Sequence, residues 1–271
     1  MFKLFKKASL LGLLVLSMVA PAGFAASDSP VLDRVIDFKV LKVGMSGNQP
    51  PMNTNSRSGQ PIGYDVDLAR ALAGAMGARL EIVTMPFGEL LGALDADKVD
   101  MVMSGMAITP ERTRNHTFVG PYMMSGKSIL TKSSVLAQAA SADDFNRSEL
   151  KLAALAGSTS ETFIQSAAPE ATLIAVKDYD AAVEMVINGE IDGLIADMPI
   201  CVLSVLRYPN AGLATLKSPL SIEPFGIALS KKDPQFANLV DNYLDTYSKM
   251  GVLAKLRKKW FEDQSWIAAL P

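Results

Sequence analysis

The fold is most constrained by residues 63–112, in which apolar strands alternate with amphipathic helices. Apolar residues at four-residue spacing predict a helix over residues 65–77, and a second helix is predicted over 87–94. Short apolar runs predict one strand between these helices, at 80–83, and another after them, at 100–103. Strands that alternate with helices are typical of a parallel sheet covered by helices. We therefore expect an α/β fold.

The same order of elements begins again after residue 150. Strands separated by helices are predicted at residues 152–155, 173–176 and 191–196. Residues 94–106 and 185–198 also share one pattern, in which a helix end and a polar turn precede an apolar strand. The repeated pattern suggests two lobes of similar build, although convergent α/β patterns would look the same.

Two further strands are predicted to connect these lobes. A strand over residues 125–131 would leave the first lobe, and a strand over 222–230 would return to it. Two crossing strands form a hinge, and domain closure around a ligand is the usual motion of such a hinge. We expect residues 26–126 and 223–271 to form lobe one and residues 127–222 to form lobe two.

The first 25 residues have the pattern of a secretory signal peptide. Three lysines precede an apolar run over residues 8–20, and small residues near Ala25 provide a cleavage site. An uncleaved anchor is the alternative, but the run is short for a membrane span. Without residues 1–25 the chain has 23 basic and 28 acidic side chains, a net charge of −5, and no long basic run. We expect a periplasmic protein that binds neither nucleic acid nor anionic membranes.

The single cysteine and the single histidine predict neither a disulfide nor a metal site. Cys201 lies in an apolar stretch and is expected to be a buried structural thiol. His116 has no nearby cysteine or histidine and is expected at the surface. No cofactor is expected.

Arg112 is the first candidate ligand-binding residue. Thr109 and Pro110 predict that a helix begins just beyond the carboxyl end of the 100–103 strand. Ligands bind at that edge in open α/β sheets, and a guanidinium can hold a carboxylate through two hydrogen bonds. The alternative is a surface arginine paired with Glu111.

Three candidates come from the second half of the chain. Ser158 and Thr159 lie at a predicted helix start, where free N–H groups favour an anion, although either could be a plain N-cap. Asp197 follows the 191–196 strand, where a carboxylate could hold an ammonium group or cap the helix predicted near Pro199.

The motifs Gly63-Tyr64-Asp65-Val66-Asp67, Ser104-Gly105-Met106 and Thr109-Pro110-Glu111-Arg112, taken together, resemble the polar amino-acid-binding proteins of ABC importers, solute-binding protein family 3. The resemblance covers about residues 41–261. It implies a two-lobed periplasmic-binding-protein fold of type II, with two parallel-sheet lobes joined by two crossing strands. It also implies a non-catalytic, monomeric receptor. Such a receptor would capture a small zwitterion, expected to be an amino acid, and deliver it to an ABC transporter permease in the inner membrane.

The resemblance also implies roles for individual residues. Arg112 and Thr159 would bind the ligand's α-carboxylate, and Asp197 would bind its α-amino group. Three consecutive residues of one loop would contact the ligand through a hydroxyl and a backbone carbonyl: Ser104, Gly105 and Met106.

The chain departs from the family pattern at several ligand positions. Ala107 stands where a hydroxyl side chain is common. Gln49 and Met52 stand where the family usually has an aromatic residue and a phenylalanine, so Gln49 would offer the ligand an amide. Phe87 and Tyr122 could line the pocket or belong to the core.

Two other functions remain open. Periplasmic cyclohexadienyl (arogenate/prephenate) dehydratases resemble these receptors, and Glu161 aligns with the acid that such an elimination needs. Binding proteins also carry a glutamate there, and a first-turn acid stabilises a helix in any case. A sensory ectodomain would require a later transmembrane helix, and none is predicted before Pro271.

Overall fold

The computed structural model describes residues 29–271, so the predicted signal peptide lies outside the described residues. The strands are, in chain order, β1 (Val40–Met45), β2 (Asn48–Gln49), β3 (Asn53–Asn55), β4 (Pro61–Ile62), β5 (Arg79–Thr84), β6 (Met101–Val102), β7 (Thr117–Ser125), β8 (Lys127–Thr131), β9 (Lys151–Leu155), β10 (Thr172–Val176), β11 (Gly193–Asp197), β12 (Ala214–Thr215) and β13 (Glu223–Leu229). The α-helices are α1 (Pro30–Phe38), α2 (Tyr64–Ala75), α3 (Leu90–Asp95), α4 (Pro110–Asn115), α5 (Thr159–Ala167), α6 (Tyr179–Asn188), α7 (Met198–Arg207), α8 (Pro234–Lys249) and α9 (Val252–Arg257).

Two five-stranded sheets define the two lobes. The sheet of lobe one has the order β5-β1-β6-β13-β7, and that of lobe two has the order β10-β9-β11-β8-β12. Each contains three parallel strands; β13 in lobe one and β8 in lobe two pair antiparallel to one of these, and β7 pairs with β13. The expected two-lobed α/β fold is confirmed, and the sheets are mixed because the connecting strands extend them.

The two lobe connections run side by side. Strand β7 continues through Gly126 into β8, while β13 re-enters lobe one with Glu223 paired to Ser125. A Cβ atom on Gly126 would lie only 1.8 Å from the backbone oxygen of Ser221, so the crossing point has no room for a side chain. The single strand predicted over 125–131 is therefore divided at Gly126.

Helix α1 and the small sheet β2-β3-β4 were not expected from the sequence. The small sheet lies where the abundance of Gly, Pro, Asn and Ser predicts an irregular loop. The predicted helix over 87–94 begins as a 3-10 turn, Phe87–Glu89, before α3.

Buried apolar residues connect the lobes as well as filling each of them. One cluster includes Phe87, Leu90 and Met106 from lobe one together with Leu155 and Tyr179 from lobe two. The lobes are thus in direct apolar contact. Within residues 29–271, no helix combines the length and apolar character needed to cross a membrane.

Candidate functional site

Arg112 lies at the interface where residues of lobe one face residues of lobe two, which we call the seam. Thr109 accepts the backbone N–H of Arg112 at 3.2 Å and Pro110 occupies the first helical position, so α4 begins as the sequence predicts. The guanidinium donates to the backbone oxygen of Ala107 at 2.9 Å within lobe one and to that of Gly157 at 3.2 Å in lobe two. Its Cζ atom lies 5.7 Å from the centre of the Phe87 ring.

Arg112 keeps its positive charge in this position. Burial lowers the pKa of its guanidinium, while the nearby carboxylates of Glu223 and Asp197 oppose that change. An arginine stays protonated in proteins across the physiological range. The seam therefore holds a fixed cation close to two acids.

The start of α5 faces Arg112 across a groove. The groove has a volume of about 560 Å³, and its lining includes Arg112, Ser158, Thr159 and Glu161. Ser158 caps the helix by accepting the backbone N–H of Glu161 at 3.3 Å, and the Glu161 carboxylate accepts the N–H of Gly157 at 2.7 Å. The hydroxyl of Thr159 donates to Glu223 at 2.8 Å.

Asp197 lies at the end of β11 and does not cap α7 with its side chain. Its Oδ1 accepts a hydrogen bond from Nζ of Lys127 at 2.8 Å, and the same Nζ lies 2.9 Å from Oε2 of Glu223. The Lys127 side chain is only 1% exposed. Burial lowers the pKa of Lys127, but the two adjacent carboxylates outweigh burial and raise it overall. The ammonium group therefore remains charged between the two acids.

Other predicted ligand residues belong to a buried polar network inside lobe one. Ser104 is fully buried; its hydroxyl accepts the backbone N–H of Ser46 at 3.0 Å and donates to Oε1 of Gln49 at 3.2 Å. The backbone N–H of Gly105 donates to Asp65 at 2.9 Å. The structure therefore places Gln49, Ser104 and Gly105 in a network of their own.

Tyr122 also belongs to the core of lobe one. Its hydroxyl donates to Asp65 at 2.8 Å, and its ring stacks on Tyr64 with centres 5.8 Å apart. Phe87 instead lies beneath Arg112, and Met106 packs in the apolar cluster that connects the lobes. Of the two aromatic candidates, the structure brings Phe87 to Arg112 and places Tyr122 in the core.

His116 is buried, which contradicts its expected surface position. It is 5% exposed, with Nε2 3.0 Å from Asp95 and Nδ1 3.4 Å from the backbone oxygen of Arg112. The sequence gives no signal for this, because Asp95 ends helix α3, 21 positions before His116. Cys201 is buried and free, as predicted.

A comparison with known protein families identifies the family of this chain. Residues 41–263 match the bacterial extracellular solute-binding proteins, family 3. The chain belongs to this family. The resemblance inferred from the sequence over about residues 41–261 is thereby confirmed.

The proteins similar to this chain include both binding proteins and an enzyme. The chain is 26% identical to a cyclohexadienyl dehydratase of Pseudomonas aeruginosa over 91% of each chain. It is 28% identical to ABC transporter arginine-binding protein 1 of Escherichia coli, over 82% of this chain and 90% of that protein.

Solved structures of the same type confirm the two-lobed, type II fold. An ancestral amino acid-binding protein, described as a precursor of cyclohexadienyl dehydratase, is 33% identical with a TM-score of 0.79, covering 85% of this chain and 99% of that one. A putative ABC transporter binding component from Wolinella succinogenes, complexed with lysine, is also 33% identical with the same coverage and a TM-score of 0.80.

Lys127 and Glu223 are the residues that sequence reasoning missed in this family 3 protein. Each is a charged residue at the beginning of a strand next to the hinge, and no other residue of either strand is charged. A charge at that position in both crossing strands is a signal that could have identified the pair. Their contacts with Asp197 and Thr159 join them to the predicted site.

Proposed function

We propose that this chain is a periplasmic receptor that captures a small carboxylate-bearing solute between its lobes and delivers it to an ABC transporter permease. An amino acid, the zwitterion expected from the sequence, is one member of this ligand class. The observation that carries the proposal is the position of Arg112, which belongs to lobe one and donates a hydrogen bond to lobe two. A carboxylate bound there would engage both lobes and favour their closure.

The chemistry of the groove supports a carboxylate ligand. Arg112 supplies a planar guanidinium with several donors, and the start of α5 contributes the positive end of its helix dipole. Binding proteins for amino acids among the relatives support the same class. Lobe closure removes water from such a pair, which strengthens the interaction between the charges.

The proposal is tested by removing the guanidinium of Arg112 and measuring whether ligand binding is lost. A thermal-shift screen against amino acids and small carboxylates would identify a ligand, because a ligand that binds only the folded state raises the melting temperature. Arg112→Ala is expected to weaken binding of that ligand by about 2–5 kcal/mol in calorimetry, since it leaves the carboxylate without its charged partner. Arg114→Ala removes an exposed arginine from the same helix and serves as the control. Equal affinities for the two variants would remove Arg112 from the site.

A dehydratase is the alternative function, and one observation favours it. Glu161 lines the same groove as Arg112, so an acid and a carboxylate-binding cation lie together. Incubation of the purified chain with prephenate tests it, with release of carbon dioxide as the readout. Turnover that is lost in Glu161→Gln would establish the enzyme, and absence of turnover would leave the receptor.

A further inference from the structure

The seam between the lobes contains its own ion pairs before any ligand is considered. Lys127 contributes an ammonium that contacts both Asp197 and Glu223, and Thr159 donates to the same oxygen of Glu223. Arg112 interacts electrostatically with both acids. Two cations and two anions therefore balance each other, and each acid already has a cationic neighbour within the chain.

This arrangement works against a ligand that carries an ammonium group. Such a group needs a carboxylate partner, and the buried acid nearest the seam, Asp197, is paired with Lys127 at 2.8 Å. A ligand ammonium would have to separate that pair or lie beside Lys127. Separating a buried ion pair is strongly unfavourable, and two like charges in a poorly hydrated site repel each other.

The same lysine favours a ligand that carries an oxygen instead. An ammonium has three N–H donors, and the contacts of Lys127 with Asp197 and Glu223 account for two of them. The third N–H can donate to an oxo or hydroxyl oxygen. Arg112, at the same seam, can hold the carboxylate of that ligand.

We propose that Lys127 makes this cleft select 2-oxo and 2-hydroxy carboxylates over the corresponding α-amino acids. The inference rests on the proposed receptor function and narrows its ligand class. Lys127 already occupies the position beside Asp197 that the ammonium of an amino acid would take. The preferred ligand therefore carries a hydrogen-bond acceptor at its 2-position, where an amino acid carries an ammonium.

Matched ligand pairs test this selectivity by titration calorimetry. The pairs are pyruvate and L-alanine, 2-oxoglutarate and L-glutamate, and phenylpyruvate and L-phenylalanine. For any pair that binds the wild-type chain, the oxo acid is expected to bind about tenfold or more tightly than the amino acid, a difference of about 1.4 kcal/mol.

Variants of Lys127 identify the cause of the preference. Lys127→Met removes the charge at similar length, so a ligand ammonium can now pair with Asp197, and the order within each pair is expected to reverse. Lys132→Met is the control, because the exposed Lys132 donates to the backbone oxygen of Ile187 and should leave the wild-type order unchanged. If Lys127→Met fails to fold, Lys127→Met/Asp197→Asn removes both charges of the pair, and the oxo acid should then lose its tenfold advantage, because the ammonium that repels the amino acid is gone while Glu223 remains.

Each outcome separates this inference from the receptor function on which it rests. If the wild-type chain prefers the amino acids, or if Lys127→Met keeps the wild-type order, the selectivity inference is wrong and the receptor remains. If the wild-type chain binds neither member of any pair, nor any other compound in the thermal-shift screen, the proposed function fails and the inference fails with it.

Discussion

Asp65 and Asp197 are both buried carboxylates, but their partners differ in kind. Asp65 accepts hydrogen bonds from Tyr122, Asn53 and the backbone of Gly105, at 2.8, 3.1 and 2.9 Å. All three donors are neutral and belong to lobe one. Asp197 instead accepts from the charged Lys127, at the seam between the lobes.

The difference separates a structural acid from one that can take part in binding. Burial raises the pKa of both carboxyl groups, and hydrogen bonds from neutral donors oppose this at Asp65, whereas Lys127 opposes it at Asp197. Because its donors are neutral and all belong to one lobe, the hydrogen bonds of Asp65 are not expected to change when a ligand binds between the lobes. The paired charges at the seam act directly on a charged ligand, because Lys127 repels a second cation beside Asp197, so the seam is where selectivity is expected.

The largest expected effect comes from removing the cation of the seam. Lys127→Met leaves Asp197 and Glu223 without their shared cation, and breaking a buried ion pair in this way costs about 3–5 kcal/mol of unfolding free energy. Urea unfolding measures the loss. Lys127→Met/Asp197→Asn should recover part of it, because one unpaired buried charge is also removed. A Lys127→Met variant as stable as the wild type would show that the seam charges are well hydrated, and the contrast with Asp65 would disappear.

The contribution of Asp65, the acid held by neutral donors, to the free energy of unfolding should depend on pH. The pKa of Asp65 is raised from its ordinary value of 3.8 to about 6, chiefly by burial. The folded state thus binds the proton more tightly than the unfolded state, so the contribution of Asp65 to stability rises as pH falls from about 6 to about 4. A pKa difference of about two corresponds to about 3 kcal/mol.

Asp65→Asn isolates that contribution. The variant cannot take up the proton, so the wild type should gain unfolding free energy relative to it as pH falls from 7 to 4. Urea unfolding at several pH values measures the difference between the two proteins. Parallel curves would mean that Asp65 titrates alike in the folded and unfolded states.

Local patterns were sufficient to predict most elements and the start of α4. The strand predicted over 152–155 is β9, and Thr109 and Pro110 begin α4 as expected. These features depend on neighbours in sequence, through apolar periodicity and capping. Helix α1 was not predicted, although Pro30 at its first position and the apolar residues at helical spacing are local signals; its first N–H groups are accepted by Asp233, about 200 positions away.

The site was harder to predict because its contacts connect distant segments. Lys127 and Asp197 are 70 positions apart, and they meet only when the two strands, β8 and β11, pair antiparallel. Ser104 and Gln49 are 55 positions apart, and their hydrogen bond takes both into a buried network. The pattern of residue types identified Arg112 and Asp197 as charged groups at strand ends. It could not show that the chain itself provides the partner of Asp197.

The smallest effect is expected from disturbing the contact between the lobes. The question is whether this contact slows amide exchange at the seam without affecting the network around Asp65. Gly157 and Gly189 both have positive φ angles, +74° and +73°. An added Cβ on Gly157 would lie 2.8 Å from the Cα atom of Gly88 in the other lobe, whereas one on Gly189 would meet nothing within 4 Å. Alanine at either position is expected to cost about 1–2 kcal/mol through left-handed backbone strain. Only Gly157→Ala should also push the lobes apart.

Amide hydrogen exchange distinguishes these effects at two reporter N–H groups. The amide of Lys127 donates to Ser221 at the hinge, and the amide of Gly105 donates to Asp65 inside lobe one. Gly157→Ala should speed exchange at Lys127 more than Gly189→Ala does, while Gly105 should respond alike in both variants. Equal exchange at Lys127 would mean that lobe contact at Gly88 does not protect the seam. Faster exchange at Gly105 in Gly157→Ala alone would mean that Asp65 and Asp197 belong to one cooperative unit. Separating the lobes would then loosen the hydrogen bonds of Asp65, although all their donors lie in lobe one.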